Sequence, residues 1–94
     1  MKYDVADVVI SLNGRDKNKH FIIIGTEDNY SLLADGKGRK LEKPRRKKNK
    51  HIKPDGVIDA KLTEKLISGD NITNKEMRRA LAQYTAELEK GDVQ

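Results

Sequence analysis

A mainly β fold, a small barrel of five strands followed by two C-terminal α-helices, is what the 94-residue sequence predicts. Three observations carry the prediction. Apolar residues make up only 35% of the chain, yet they are gathered early into three dense runs, residues 8–12, 21–24 and 32–34. These runs are rich in the branched and aliphatic side chains that fit a pleated surface, and each is too short for an ordinary helix. Turn-forming pairs, Asn13-Gly14 and Asp35-Gly36, punctuate them, and past Gly56 the apolar spacing changes to the intervals of three and four that mark helices.

The first strand is expected over residues 7–12 and stops at Asn13-Gly14, two residues that tolerate positive φ. A polar loop, 15–19, leads to a second strand over 20–25. After a turn at 26–29 the third strand covers 30–34, and Asp35-Gly36 is a favoured hairpin pair. That hairpin delivers a fourth strand over 37–43. Pro44 ends it, having no N–H for the ladder. Residues 45–50 read as a charged loop, and 51–53 as a short closing strand before a Pro54-Asp55-Gly56 turn. Ile58, Leu62, Leu66 and Ile67 then predict a helix over 59–68, capped by Asp59 and stopped at Ser68-Gly69. Thr73 and Glu76 form a capping box in which each side chain satisfies a free backbone N–H. Behind it Met77, Leu81, Tyr84 and Leu88 give a second helix, over 74–90, one apolar face, with Gly91 as terminator. The expected organisation is a barrel at 1–54 and a helical extension at 55–94.

Charge is distributed in blocks. Residues 1–36 carry four Lys/Arg and six Asp/Glu, residues 37–53 ten and one, and residues 54–94 six and eight. Fields from such blocks act over about 10 Å at moderate salt, so the middle block, net +9, dominates its surroundings whatever the total. It is the footprint expected for a polyanionic partner. The absence of cysteine excludes disulfides, thiolate metal sites and cysteine nucleophiles, and favours an intracellular location. Residues 1–8 do not have the pattern of a targeting segment, and no run approaches the roughly 20 apolar residues that span a bilayer, so a soluble cytoplasmic protein without membrane partners is expected.

A strand (Val8-Val9-Ile10-Ser11-Leu12), a Gly turn (Asn13-Gly14), a Lys-rich loop (Arg15-Asp16-Lys17-Asn18-Lys19) and a second apolar strand (Phe21-Ile22-Ile23-Ile24) together resemble the KOW motif. The likeness continues through Tyr30-Ser31-Leu32-Leu33-Ala34-Asp35-Gly36, the basic stretch from Arg39 to Lys48, and His51-Ile52-Lys53-Pro54. Over residues 3–54 the chain is similar to KOW-domain RNA-binding proteins of the L14e/L27e-related ribosomal protein family. Asn18 stands where such loops usually carry a second Gly, and Asn accepts the left-handed conformation better than other side chains. The resemblance implies an SH3-like barrel that contacts RNA, usually ribosomal RNA, through loops and a basic surface.

The residues support a non-catalytic RNA-binding role independently. Arg15, Lys17 and Lys19 lie in the first loop, and Arg39, Lys40, Lys43, Arg45, Arg46, Lys47, Lys48 and Lys50 follow in the basic block. Cations opposite phosphates release condensed counterions, which gives affinity that is strong, salt-dependent and largely indifferent to sequence. Arg adds planar donor forks and stacking surfaces. Alternation on the expected fourth strand would divide Arg39, Leu41 and Lys43 from Lys40 and Glu42. Aromatics are few: Phe21 is expected in the core, and Tyr3 and Tyr30 in core or barrel-edge packing, with base stacking as their alternative. His20 and His51 are expected as surface or satisfied polar residues. No Walker-type loop, metal-ligand spacing or nucleophile–base set is present, so neither catalysis nor a cofactor is expected. The rival reading is a protein-interaction module in the transcription or translation machinery, since NusG-type factors also use KOW barrels. In that case the basic patch would meet an acidic protein surface, and the stripe Met77, Leu81, Tyr84 and Leu88 would dock a partner or a second copy of the chain. A third reading, DNA binding, differs from the first only in contacts to the 2′-hydroxyl.

Overall fold

A computed structural model describes residues 3–91; Met1 and Lys2 of the segment considered for targeting, and residues 92–94 of the helical extension, lie outside them. Five strands, β1 (Asp7–Ser11), β2 (His20–Glu27), β3 (Tyr30–Ala34), β4 (Arg45–Lys48) and β5 (Ile52–Val57), form one antiparallel sheet in the order β4-β3-β2-β1-β5. A 3₁₀ turn, Asn49–His51, joins β4 to β5, and the helices α1 (Ala60–Ser68) and α2 (Asn74–Gly91) follow. The hydrogen-bonded ladder stays open, because β4 and β5 are its two edges and do not pair with each other.

The dense apolar runs arise because the sheet is buried on both faces. Successive residues serve different cores. Val8, Ile22 and Ala34 face Ile58, Leu62, Met77, Ala80 and Leu81 of the helical part, while Val9, Phe21, Ile23, Leu33 and Ile52 form a second core on the opposite face. Met77 and Leu81 are therefore interior residues, and of the helical stripe only Leu88 is strongly exposed. Half of the stripe through which a partner was to dock in the rival reading is therefore occupied by the protein's own core.

Two strand assignments are corrected. Residues 37–43 are loop, not a fourth strand, and β4 is the segment read as a charged loop. The hairpin reading of Asp35-Gly36 fails because the Asp35 carboxylate is taken by the loop itself, its Oδ1 accepting the backbone N–H groups of Lys37 (2.9 Å) and Arg39 (2.8 Å). The tight turn so formed carries the chain away from β3, and Pro44 precedes a strand rather than ending one. At the other edge Pro54, Asp55 and Gly56 belong to β5 and not to a turn. Pro54 is tolerated because β5 is an edge, and the register shifts there: Val8 pairs with Gly56 but Val9 with Pro54, leaving Asp55 as a bulge.

Both helices begin as their caps dictate. Asp59 accepts the N–H of Leu62 (3.0 Å), and α1 ends at Gly69 in the left-handed conformation. Thr73 Oγ1 accepts from Glu76 N (3.1 Å) while Glu76 Oε1 accepts from Thr73 N (3.0 Å), completing the capping box. The first turns of α2 then hold the long β3–β4 loop. Asn74 Oδ1 accepts the N–H of Leu41 (2.8 Å), Asn74 Nδ2 donates to Glu42 (2.8 Å), and Arg78 Nη1 donates to the carbonyl of Gly36 (2.6 Å). Gly36 has φ of +78°, and a Cβ there would lie 2.9 Å from Met77 Cβ. Gly36→Ala should accordingly cost roughly 3 kcal/mol, combining left-handed strain with overpacking, as a lowered urea midpoint at unchanged slope would record.

Candidate nucleic-acid interface

The loop between β1 and β2 is shaped by glycine-like backbone at two points. Gly14 has φ of +81° and Asn18 of +72°, so Asn18 adopts the conformation expected of it in place of glycine. Inside the loop Asp16 is the hub: its Oδ1 accepts from Ser11 Oγ (2.6 Å) and from Lys47 Nζ (2.7 Å), and the same ammonium donates to Ser11 Oγ (2.5 Å) and to the Asn13 carbonyl (2.9 Å). Lys47 is only 5% exposed. Expected among the phosphate-binding cations, it is instead an interior ion that reaches from β4 to β1 and locks the loop presenting Arg15, Lys17 and Lys19. Burial raises the pKa of Asp16, but the bonds from Lys47 and Ser11 and the charges of Lys47 and Arg45 outweigh it and hold the carboxyl below its ordinary value.

Above this hub three separate chain segments converge. Arg15 and Lys19 from the first loop, Arg39 from the β3–β4 loop and Arg45 from β4 line one open cavity of about 330 Å³, with Phe21 contributing apolar wall. Two carboxylates share the lining, and both are committed: Asp16 to Lys47, with Arg45 Nε 4.0 Å from its other oxygen, and Asp35 to the backbone of its own turn. Asp35 keeps its charge, so the cavity presents four cationic side chains against one carboxylate without a cationic partner. Lys17, Lys40 and Lys43 are exposed nearby in the chain but do not line it.

Alternation along β4 divides the remaining cations. Lys47 points inward, whereas Arg46 and Lys48 are exposed. Lys48 pairs across the ladder with Tyr30, and Lys50 follows, exposed, in the 3₁₀ turn. The basic block is thus split between two places on the sheet. Arg78 escaped sequence reasoning, and Lys37 entered it only as part of the basic block 37–53. Lys37 and Arg78 line a shallow opening together with Lys19 and His20, so α2 adds positive charge beside the first loop. Nothing in the acidic composition of residues 54–94 marks Arg78, which becomes visible only once the loop is seen docked on the helix.

His20 and Tyr84 belong to a joint between sheet and helix. Tyr84 Oη donates to Asp55 Oδ2 (2.5 Å), His20 Nε2 lies 3.4 Å from the same oxygen, and the two rings meet edge to face at 5.9 Å. Burial first, then the bond to the Asp55 carboxylate and its charge, push the Tyr84 phenol well above the ordinary range, so it stays a donor at any working pH. The bulge that exposes Asp55 to Tyr84 is thereby given a structural purpose.

No family model and no curated protein matches this chain. Among the described residues there is no cluster of His, Cys, Asp or Glu able to hold a metal ion, and no helix long and apolar enough to cross a membrane.

Proposed function

We propose that this chain is a non-catalytic, cytoplasmic RNA-binding protein of the KOW type, its sheet an SH3-like barrel, and that it associates with ribosomal RNA. One observation carries the reading: four cations, from the β1–β2 loop, the β3–β4 loop and β4, meet around one cavity, outnumbering its two carboxylates, of which Asp16 is already paired with Lys47. A solvated charge run would have no reason to gather in that way. The strand order, with a 3₁₀ turn between the edge strands, supports the barrel assignment, and Lys47 supports it further by bridging β4 to β1 through the interior. Interior placement of Met77 and Leu81 weakens the protein-docking alternative.

Sedimentation of a cell lysate through a density gradient tests the association. The protein should travel with a ribosomal subunit or its precursor at low salt and move to light fractions at high salt, since phosphate contacts weaken steeply as counterions are added. Light fractions at both salt concentrations would reject ribosomal RNA as the partner.

A further inference from the structure

Away from the cationic cavity, at the far end of the β3–β4 pair, lies a second recess of about 430 Å³, lined by Asn29, Tyr30, Lys48, Asn49 and Lys50. Its construction is specific. The Arg46 guanidinium sits 3.6 Å from the centroid of the Tyr30 ring, and Arg46 Nε is held by Glu27 Oε1 at 3.2 Å. Arg46 itself does not line the recess, whereas Tyr30 does. Asn49 is fixed as well: its Oδ1 accepts from Ser31 Oγ (2.6 Å), which leaves the amide Nδ2 as its donor for a ligand, and its backbone N–H is bonded to the Asn29 carbonyl (2.8 Å).

An aromatic residue bearing a clamped cation, in a recess lined also by two asparagines and two lysines, has the chemistry of a single nucleotide site. The ring offers a π-face to an unstacked base, Lys48 and Lys50 meet the flanking phosphates, and the amides of Asn29 and Asn49 meet polar base edges. The core residues of β3, Leu33 and Ala34, lie at its other end, away from Tyr30. We infer that Tyr30, backed by Arg46 and flanked by Lys48, Lys50 and Asn49, is a stacking site for an unpaired RNA base. The inference rests on the RNA-binding reading and sharpens it: the cavity around Arg39 and Arg45 holds backbone phosphates of any RNA, whereas the Tyr30 site selects strands whose bases are free. A duplex, whose bases are stacked on one another, has nothing to offer it.

The test compares binding of a short fluorescent oligouridylate and of a fluorescent RNA duplex to the full chain and its variants. Tyr30→Ala should weaken the single strand by about 5- to 100-fold, the range for loss of one base–aromatic stack, while leaving duplex affinity unchanged. Tyr30→Phe should bind both as the parent does. Tyr30→Leu keeps apolar bulk without a π-face and serves if the alanine variant unfolds; it should lose the single strand selectively too. Cross-linking of a 4-thiouridine-substituted strand to the parent protein should place the adduct on Tyr30 or a flanking residue of the recess. A folded Tyr30→Leu protein that binds the single strand like the parent, or adducts confined to the other cavity, would overturn the inference while leaving RNA binding intact. Failure of the parent to bind either RNA would overturn both.

Discussion

Asp16→Ala should lower stability by about 3–5 kcal/mol, the cost of leaving a buried ammonium without its counterion. For a domain of this size, whose total stability is on the order of 5–10 kcal/mol, that brings the chain close to unfolding, with Tm reduced by roughly 15–30 °C. Lys47→Met alone should also be costly, since it strands the carboxylate. The double variant Asp16→Asn/Lys47→Met should recover much of the loss, because uncharged replacements remove the need for pairing. Thermal or urea denaturation of the parent, Asp16→Asn, Lys47→Met and the double variant gives the coupling directly, and strictly additive losses would mean that the two groups do not act as a pair. The pH dependence follows from the same geometry. Folding depresses the Asp16 pKa, so its contribution is complete above the unfolded value of about 3.9 and is lost as pH falls through the lower folded value. Parent stability should therefore fall over that acid interval more steeply than that of Asp16→Asn.

The largest functional effect is expected from Arg15→Ala/Arg39→Ala/Arg45→Ala. Each phosphate contact contributes close to one unit to the slope of log affinity against log salt, so removing three should flatten the slope by roughly 2–3 and weaken RNA binding at moderate salt by about two orders of magnitude. The loss should be similar across unrelated RNAs. All three side chains are at least partly exposed, so the fold should survive, which far-ultraviolet circular dichroism checks. As a control, Lys40→Ala/Lys43→Ala removes two exposed cations that do not line the cavity and should change the slope less. Equal effects from both sets would mean that the cavity has no privileged role.

Sequence reasoning located the first three strands because their inward positions on both faces are filled by Val, Ile, Leu and Phe, leaving an unmistakable apolar run. It located the helices because Asp59, Thr73, Glu76 and Gly69 announce their ends. β4 was illegible for an equally physical reason. Its one buried position is Lys47, and a strand whose buried side chain is a lysine has no apolar periodicity to read. Only Asp16, thirty-one residues earlier, makes that burial tolerable, and a pairing over such a distance leaves no local signal. The candidate site was legible as composition but not as arrangement. Arg15, Lys19, Arg39 and Arg45 were all expected in it; that these four meet, that Lys47 withdraws to the interior, and that Arg46, Lys48 and Lys50 belong to another place, depend on strand alternation and loop docking that a linear charge count does not contain.

Anchorage of the β3–β4 loop by Asn74, Met77 and Arg78 bears on the order in which the molecule matures during translation. Every strand is made before the helix that steadies this loop, and chains fold as they emerge, N-terminal parts first. The contacts of Asn74 and Arg78 with this loop thus become available only after α2 has left the exit tunnel. A nascent chain stalled short of residue 74 would carry the cations of the β3–β4 loop without their anchor, so the arrangement of the cationic cavity depends on the late helix as well as on the sheet that bears most of the charge.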